Sequence, residues 1–392
     1  MDLQGERAAQ RADIEAMEAL AEALGDVRRR AHAAWRRSAL SLRIADWTAM
    51  EAATRQAVVS ASQAGGAELR LVAQRMVASA LGYQGDLAAG QVLAQETLAE
   101  ARALGLRRAE GLCLNLLGVI ASRQGDDVAK LDLLQQSLAA DQAEGNRRAE
   151  AIARGNVGVG WLDLGELTQA RRALEEGLRL IRANGDRALE CSPLCNLSTL
   201  ALRQGDDARA LALARTALET AVVVQARNWQ AIALCRLGDA ELALGRHAAA
   251  AEAYGQARER ATEIDDPLQH DASSGLARVA LAQGDNAAAL HAIAPLLALD
   301  ARTGADSGLL DGAEYPRLIE LTCHQVLVRA GGPGAADWLR RAHERLQANA
   351  ARITDAHLRQ SFLHNIPHHR EIVAAWTRAE AMPLEQPLMA GS

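Results

Sequence analysis

The chain has 392 residues, 49% hydrophobic and 23% charged, which is the balance of a folded protein with room for two or three compact domains or one extended array. A formal net charge of −6 and a pI near 6.0 set it against nucleic acid, whose phosphates call for clustered positive charge. Aromatic residues make up only 3%, with Phe362 the one phenylalanine, so burial must come from Ala, Leu and Val in closely packed helices. Nearly all cations are Arg, and Lys130 is the one lysine. The opening MDLQGERAAQ has no basic stretch followed by an apolar one, and no apolar run of membrane-spanning length follows. Five cysteines (Cys113, Cys191, Cys195, Cys235 and Cys323) are too few for a disulfide framework and read as buried reduced thiols. A cytoplasmic protein with no membrane partner is expected.

In chain order, residues 6–24 read as one helix ending at Gly25, and residues 1–26 as an N-terminal capping helix. From residue 27 to about 300 a rhythm takes over. The stretch RQGDD occurs at Arg123–Asp127 and again at Arg203–Asp207, and its glycines belong to a comb: Gly85, Gly125, Gly165, Gly205, Gly245 and Gly284, spaced by 40 and finally by 39 residues. Ala45 holds the same phase one step upstream. A second comb runs between the teeth at Gly25, Gly65, Gly105, Gly145 and Gly185 and continues as Gln225 and Asp265.

Between teeth the apolar residues return at three and four. Leu112, Leu116, Leu117, Val119 and Ile120 precede Gly125, and Leu131, Leu134 and Leu138 follow it, which is helical spacing. Glycine ends a helix by supplying a left-handed residue. The Asp after it (Asp86, Asp126, Asp206, Asp285) is placed to cap the next helix. Seven residues before the comb, small residues recur at Ala78, Gly118, Gly158, Ser198, Gly238 and Ala277. Five residues after it they recur at Gly90, Ala170, Ala210, Ala250 and Ala289, with Lys130 breaking that column. A glycine inside a helix costs about 1 kcal/mol, so such columns call for close helix approach.

These columns resemble the tetratricopeptide repeat (TPR), whose pattern sets Leu-Gly in helix A, Gly-Asp at the turn and Ala in helix B. The matching stretches are LGVIASRQGDD (117–127), LGDAELALGR (237–246) and LARVALAQGDN (276–286). The period departs from the usual unit of about 34 residues. Long units of this type are similar to the C-terminal TPR regions of bacterial signalling ATPases, nucleotide cyclases and transcriptional activators, and RQSFLHNIPHHREIVAAW (359–376) looks like the segment that often ends them. The resemblance implies an all-α, right-handed TPR-like α-solenoid of antiparallel helix pairs, with about seven repeats over residues 27–300.

After residue 300 the rhythm falters. Residues 301–316 read as a Gly- and Asp-rich loop, and residues 317–380 as C-terminal helices that cap the solenoid. Residues 381–392 read as a disordered tail.

Catalytic patterns are missing. GxxxxGK[ST] and GxSxG are absent, and GNVGVG (155–160) lies inside a helix with no strand before it. Cys191, Cys195 and Cys235 lack a fourth ligand for a metal, and His357, His364, His368 and His369 read as packed or exposed side chains of the cap. No enzyme, metal or cofactor is expected. What is left is the concave groove that the resemblance assigns to helix A, with Arg75, Ser79, Asn115, Val119, Asn156, Val159, Asn196, Thr199, Arg236, Asp239 and Arg278 facing it, and Arg123, Asp163 and Arg203 at its end. Asn156 and Asn196 fall on a clamp-asparagine position of the family, although the lysines of such a clamp are missing. The expectation is a non-catalytic scaffold binding a protein or peptide there. The alternative is a sensor or regulatory region gating an output domain that lies outside this chain.

Overall fold

The computed structural model describes residues 3–43, 47–83, 86–264, 266–303, 310 and 312–381. The comb positions Ala45, Gly85 and Asp265, residues 304–309 and 311 of the loop, and the tail 382–392 lie outside them. The described residues form α-helices joined by tight turns, with no strand. The first helix is α1 (Leu3–Ala23). A and B helices then alternate: α2 (Val27–Arg43) and α3 (Trp47–Gln63), α4 (Ala67–Tyr83) and α5 (Leu87–Ala103), α6 (Arg107–Arg123) and α7 (Asp127–Glu144), α8 (Arg147–Asp163) and α9 (Leu167–Ala183). The alternation continues through α10 (Cys191–Arg203) and α11 (Asp207–Val223), α12 (Arg227–Ala243) and α13 (His247–Glu263), α14 (Leu268–Gln283) and α15 (Asn286–Thr303). Two further pairs follow: α16 (Pro316–Ala330) with α17 (Ala335–Arg352), and α18 (Ala356–His364) with α19 (Pro367–Ala381).

Every described comb glycine adopts a left-handed backbone, from φ 61° at Gly25 to φ 76° at Gly284. Gln225, which stands where the second comb loses its glycine, keeps the same geometry at φ 54°. The capping aspartates do what their position requires. Asp86, Asp126, Asp206 and Asp285 each accept a hydrogen bond from the backbone N–H three residues on, at 2.9–3.1 Å.

The two small-residue columns meet each other. A Cβ on Gly90 of α5 would stand 2.7 Å from the Ala78 carbonyl oxygen of α4, and Ser198 of α10 donates to the Ala210 carbonyl of α11 at 2.9 Å. The crossing of helix A over helix B within a repeat is therefore what the columns record. Around Pro193 the pattern changes locally: a short 3-10 turn, Arg187–Leu189, precedes α10, and the proline sits in the first turn, where a missing N–H is tolerated.

The chain divides into two compact units. One comprises Met1–Gly160 with Arg179–Asn184, and the other Trp161–Leu178 with Gly185–Ser392. In the first, Ala73, Ala94, Ala101 and Leu71 are wholly buried; in the second, Ala214, Ala257, Leu174 and Ile293 are, with Tyr254 the largest fully buried side chain. Close Ala-lined packing thus replaces the aromatic core that the composition lacks.

Candidate functional site

The A helices carry the residues that the repeat pattern singles out. In the first unit, Arg75 and Ser79 of α4 and Asn115, Val119 and Arg123 of α6 line one cavity of about 140 Å³. Positions 75 and 79 lie one turn apart, and positions 115, 119 and 123 span two turns, so each set shares a helix face. Arg123 Nη1 donates to the Gly82 carbonyl oxygen at 3.1 Å, which fixes the guanidinium across the end of the neighbouring A helix. Val119 is 44% exposed and supplies an apolar floor among the polar groups. Asn156 of α8 is half-buried and is not among the residues lining this cavity.

In the second unit the structure brings three of the singled-out residues together. Arg236 and Asp239 of α12 are joined at 2.9 Å, and Arg278 of α14 donates to the other Asp239 oxygen at 2.8 Å. Tyr254 of α13 donates its hydroxyl to that same oxygen at 2.6 Å and accepts from Arg278 at 2.9 Å. Burial acts to raise the Asp239 pKa, but Arg278 and Arg236 outweigh it and hold the carboxyl below its usual range. Arg203 lies beside this trio, within electrostatic reach of Tyr315, Asp163 and Arg236. Arg203 Nη1 donates to the Leu162 carbonyl, with Asp163 nearby, and Asn196 Nδ2 is turned onto its own helix, donating to the Ser192 carbonyl at 2.9 Å.

Sequence reasoning missed what Arg236 meets. Its second nitrogen, Nη2, donates to Glu314, which lies 78 residues along the chain. The Tyr315 ring lies 4.9 Å from the Arg236 guanidinium, and Thr199 hydrogen-bonds the Tyr315 side chain. The backbone N–H groups of Glu314 and Tyr315 donate to the two carboxylate oxygens of Asp271 at 3.0 and 2.9 Å. Burial, then the neighbouring Glu314, push the Asp271 pKa up to about 7. The only sequence signal for this contact was the loss of rhythm in 301–316, which marked a loop without saying where it goes.

The cysteines and the C-terminal histidines lie outside these clusters, apart from Cys235 and His368 at the edge of the second. All five cysteines are buried, and burial lifts the thiols of Cys113 and Cys191 to about 11. Among the described residues no group of His, Cys, Asp and Glu could hold a metal ion, and no helix is long and apolar enough to cross a membrane. Of the C-terminal histidines, His369 is buried with Nδ1 at 2.9 Å from the Phe362 carbonyl oxygen, and His368 packs edge-on to it. His357 lies on the surface, 3.1 Å from Glu166.

No family model matches the chain, and no curated protein matches it. Solved structures do. The Rap protein complexed with competence and sporulation factor is 13% identical with a TM-score of 0.58, over 86% of this chain and 98% of that one. The Rap conjugation gene regulator of the plasmid pLS20, in complex with the Phr* peptide, is 14% identical with a TM-score of 0.57, over 75% of this chain and 78% of that one. NprR in complex with its cognate peptide NprX is 13% identical with a TM-score of 0.54, over 86% and 98%. At these identities the likeness is one of fold, and the fold is all-α and TPR-like.

Proposed function

We propose that this chain is a non-catalytic scaffold of the cytoplasm that binds a protein or peptide on the exposed face of its A helices. The carrying observation is the cavity of about 140 Å³ in the first unit, where Arg75, Asn115 and Arg123 converge with exposed Val119. Guanidinium groups, an amide and an apolar floor suit a peptide segment, because they combine charged and amide hydrogen bonding with a place to bury one side chain. Further support comes from the three solved structures above, each a protein of this fold whose name includes a bound peptide or factor.

The test is selection from a random heptapeptide library on the purified chain, followed by affinity measurement of the enriched sequences by fluorescence anisotropy. Enriched peptides should bind the Arg75→Ala/Asn115→Ala variant at least about tenfold more weakly, a loss of about 1.4 kcal/mol. A library that yields no binder, or binders indifferent to both substitutions, would overturn this reading.

A further inference from the structure

In the second unit Arg236 of the A-helix face is met by Glu314 and Tyr315, at the end of the segment Gly312–Tyr315 of the chain itself. Three kinds of contact hold them. The main chain is held by Asp271, whose carboxylate accepts two successive backbone N–H groups, a contact that reads chain direction and not side-chain identity. The acid is held by Arg236, which donates to Glu314. The ring is held by the Arg236 guanidinium at 4.9 Å, by Thr199, and by the edge of His368 with ring centroids 6.0 Å apart. Main-chain hydrogen bonds joined to seats for chosen side chains are how a binding surface recognises a peptide segment.

Seat and occupant differ in how they are built. The seat stands on α10, α12 and α14, and its central cation is fixed before any ligand arrives. Arg236 is 3% exposed and is held along its other edge by Asp239, which Tyr254 and Arg278 hold in turn. The occupant is a connection leading into α16, and it fills the site so closely that a cavity of only about 10 Å³ remains beside it, scarcely room for one water.

We infer that Gly312–Tyr315 is an internal ligand, and that the seat receives in its place an acidic–aromatic segment of a partner protein, a Glu-Tyr pair whose backbone amides meet Asp271. This rests on the A-helix face being a peptide-binding surface; it adds the chemistry of the peptide and a competitor that the peptide must displace. A tethered ligand acts at an effective concentration of order mM, so the partner must bind the seat well to win.

The probe is a fluorescein-labelled peptide Gly-Ala-Glu-Tyr-Pro-Arg-Leu, titrated against the full chain and against its Glu314→Gln/Tyr315→Ala variant. The variant should bind the peptide at least tenfold more tightly than the unaltered chain does. That gain should be lost when Arg236→Ala is added, or when the peptide carries Gln for Glu. Equal affinity for the two proteins, or no binding to a variant whose circular dichroism shows it folded, would overturn the inference. Should the variant not fold, hydrogen exchange on the unaltered chain decides. Glu314 and Tyr315 amides that exchange faster than the amides of α14 support an exchangeable segment, and amides as slow as those of α14 make it a fixed part of the core. Library binders that depend on Arg75 and Asn115, found alongside a failure here, would leave the proposed function standing and remove only the internal ligand.

Discussion

Asp141, near the end of α7, sets its carboxylate against the bare Cα of Gly111, where a Cβ would stand 2.9 Å from Oδ1. Burial first, then Glu144 and Glu150, raise its pKa to about 6. Asp239 shows the opposite outcome, because two arginines reach it and outweigh burial. An unfolded Asp titrates near 3.9, so between about pH 4 and pH 6 the folded chain holds a proton at Asp141 that the unfolded chain has lost. Stability therefore falls as pH rises through that window, and the cost is fully present above pH 6. Asp141→Asn should stabilise the first unit by about 1 kcal/mol at pH 7, the full shift being reduced by solvent screening, and should change little near pH 3. Urea denaturation at the two pH values checks this. An equal gain at both would assign the effect to packing and not to ionisation.

Between elements, Tyr254 of α13 is lodged tightly between glycines of two A helices. A Cβ on Gly238 of α12 would stand 2.8 Å from the ring, and one on Gly275 of α14 would stand 2.3 Å from it. The ring cannot swing aside cheaply, because its hydroxyl is bonded to Asp239 and Arg278. Gly275→Ala should destabilise the second unit by about 1–3 kcal/mol through overpacking. Gly255→Ala, in the same helix as Tyr254 but with open space at its Cβ, should instead stabilise it by about 0.5–1 kcal/mol through helix propensity. Thermal denaturation of the two variants should show opposite shifts. The helix pairs were legible in the sequence because each turn needs a left-handed residue and each crossing a small one, and both needs recur at every repeat. The trio Arg236, Asp239 and Arg278 was legible as a shared face, since positions on successive A helices repeat with the same period. Glu314 and Tyr315 were not, because they belong to no repeat: their partners are set by the path of a connection, and Gly312 turns at φ 91° against Pro267 without any local pattern to announce it.

At the scale of the whole molecule most ties are short in sequence. Arg70 reaches Glu100, Arg123 reaches Gly82 and Arg278 reaches Asp239, 30, 41 and 39 residues away, no further than the neighbouring repeat. The last two helices break that habit. Asn365, between α18 and α19, donates to the Gly165 carbonyl at 3.2 Å across 200 residues, and a Cβ on Gly165 would stand 2.4 Å from the Ser361 carbonyl oxygen. Gly165 and Gly205 share φ 75°, yet nothing lies within 4 Å of a Cβ at Gly205. Gly205→Ala should therefore cost only the left-handed penalty of about 1–2 kcal/mol, while Gly165→Ala should cost about 1–3 kcal/mol more by pushing against α18. Equal denaturation midpoints for the two would mean that α18 does not rest on that turn. The same contact sets an order of events during synthesis. Neighbouring helices can pair as they leave the ribosome, but the α8–α9 turn has to wait for residues made 200 positions later. At a synthesis rate of about 5–20 residues per second, that wait lasts about 10–40 s. For that time the turn at Gly165 is a nascent surface without its final cover, and the second unit closes only when α18 returns to it.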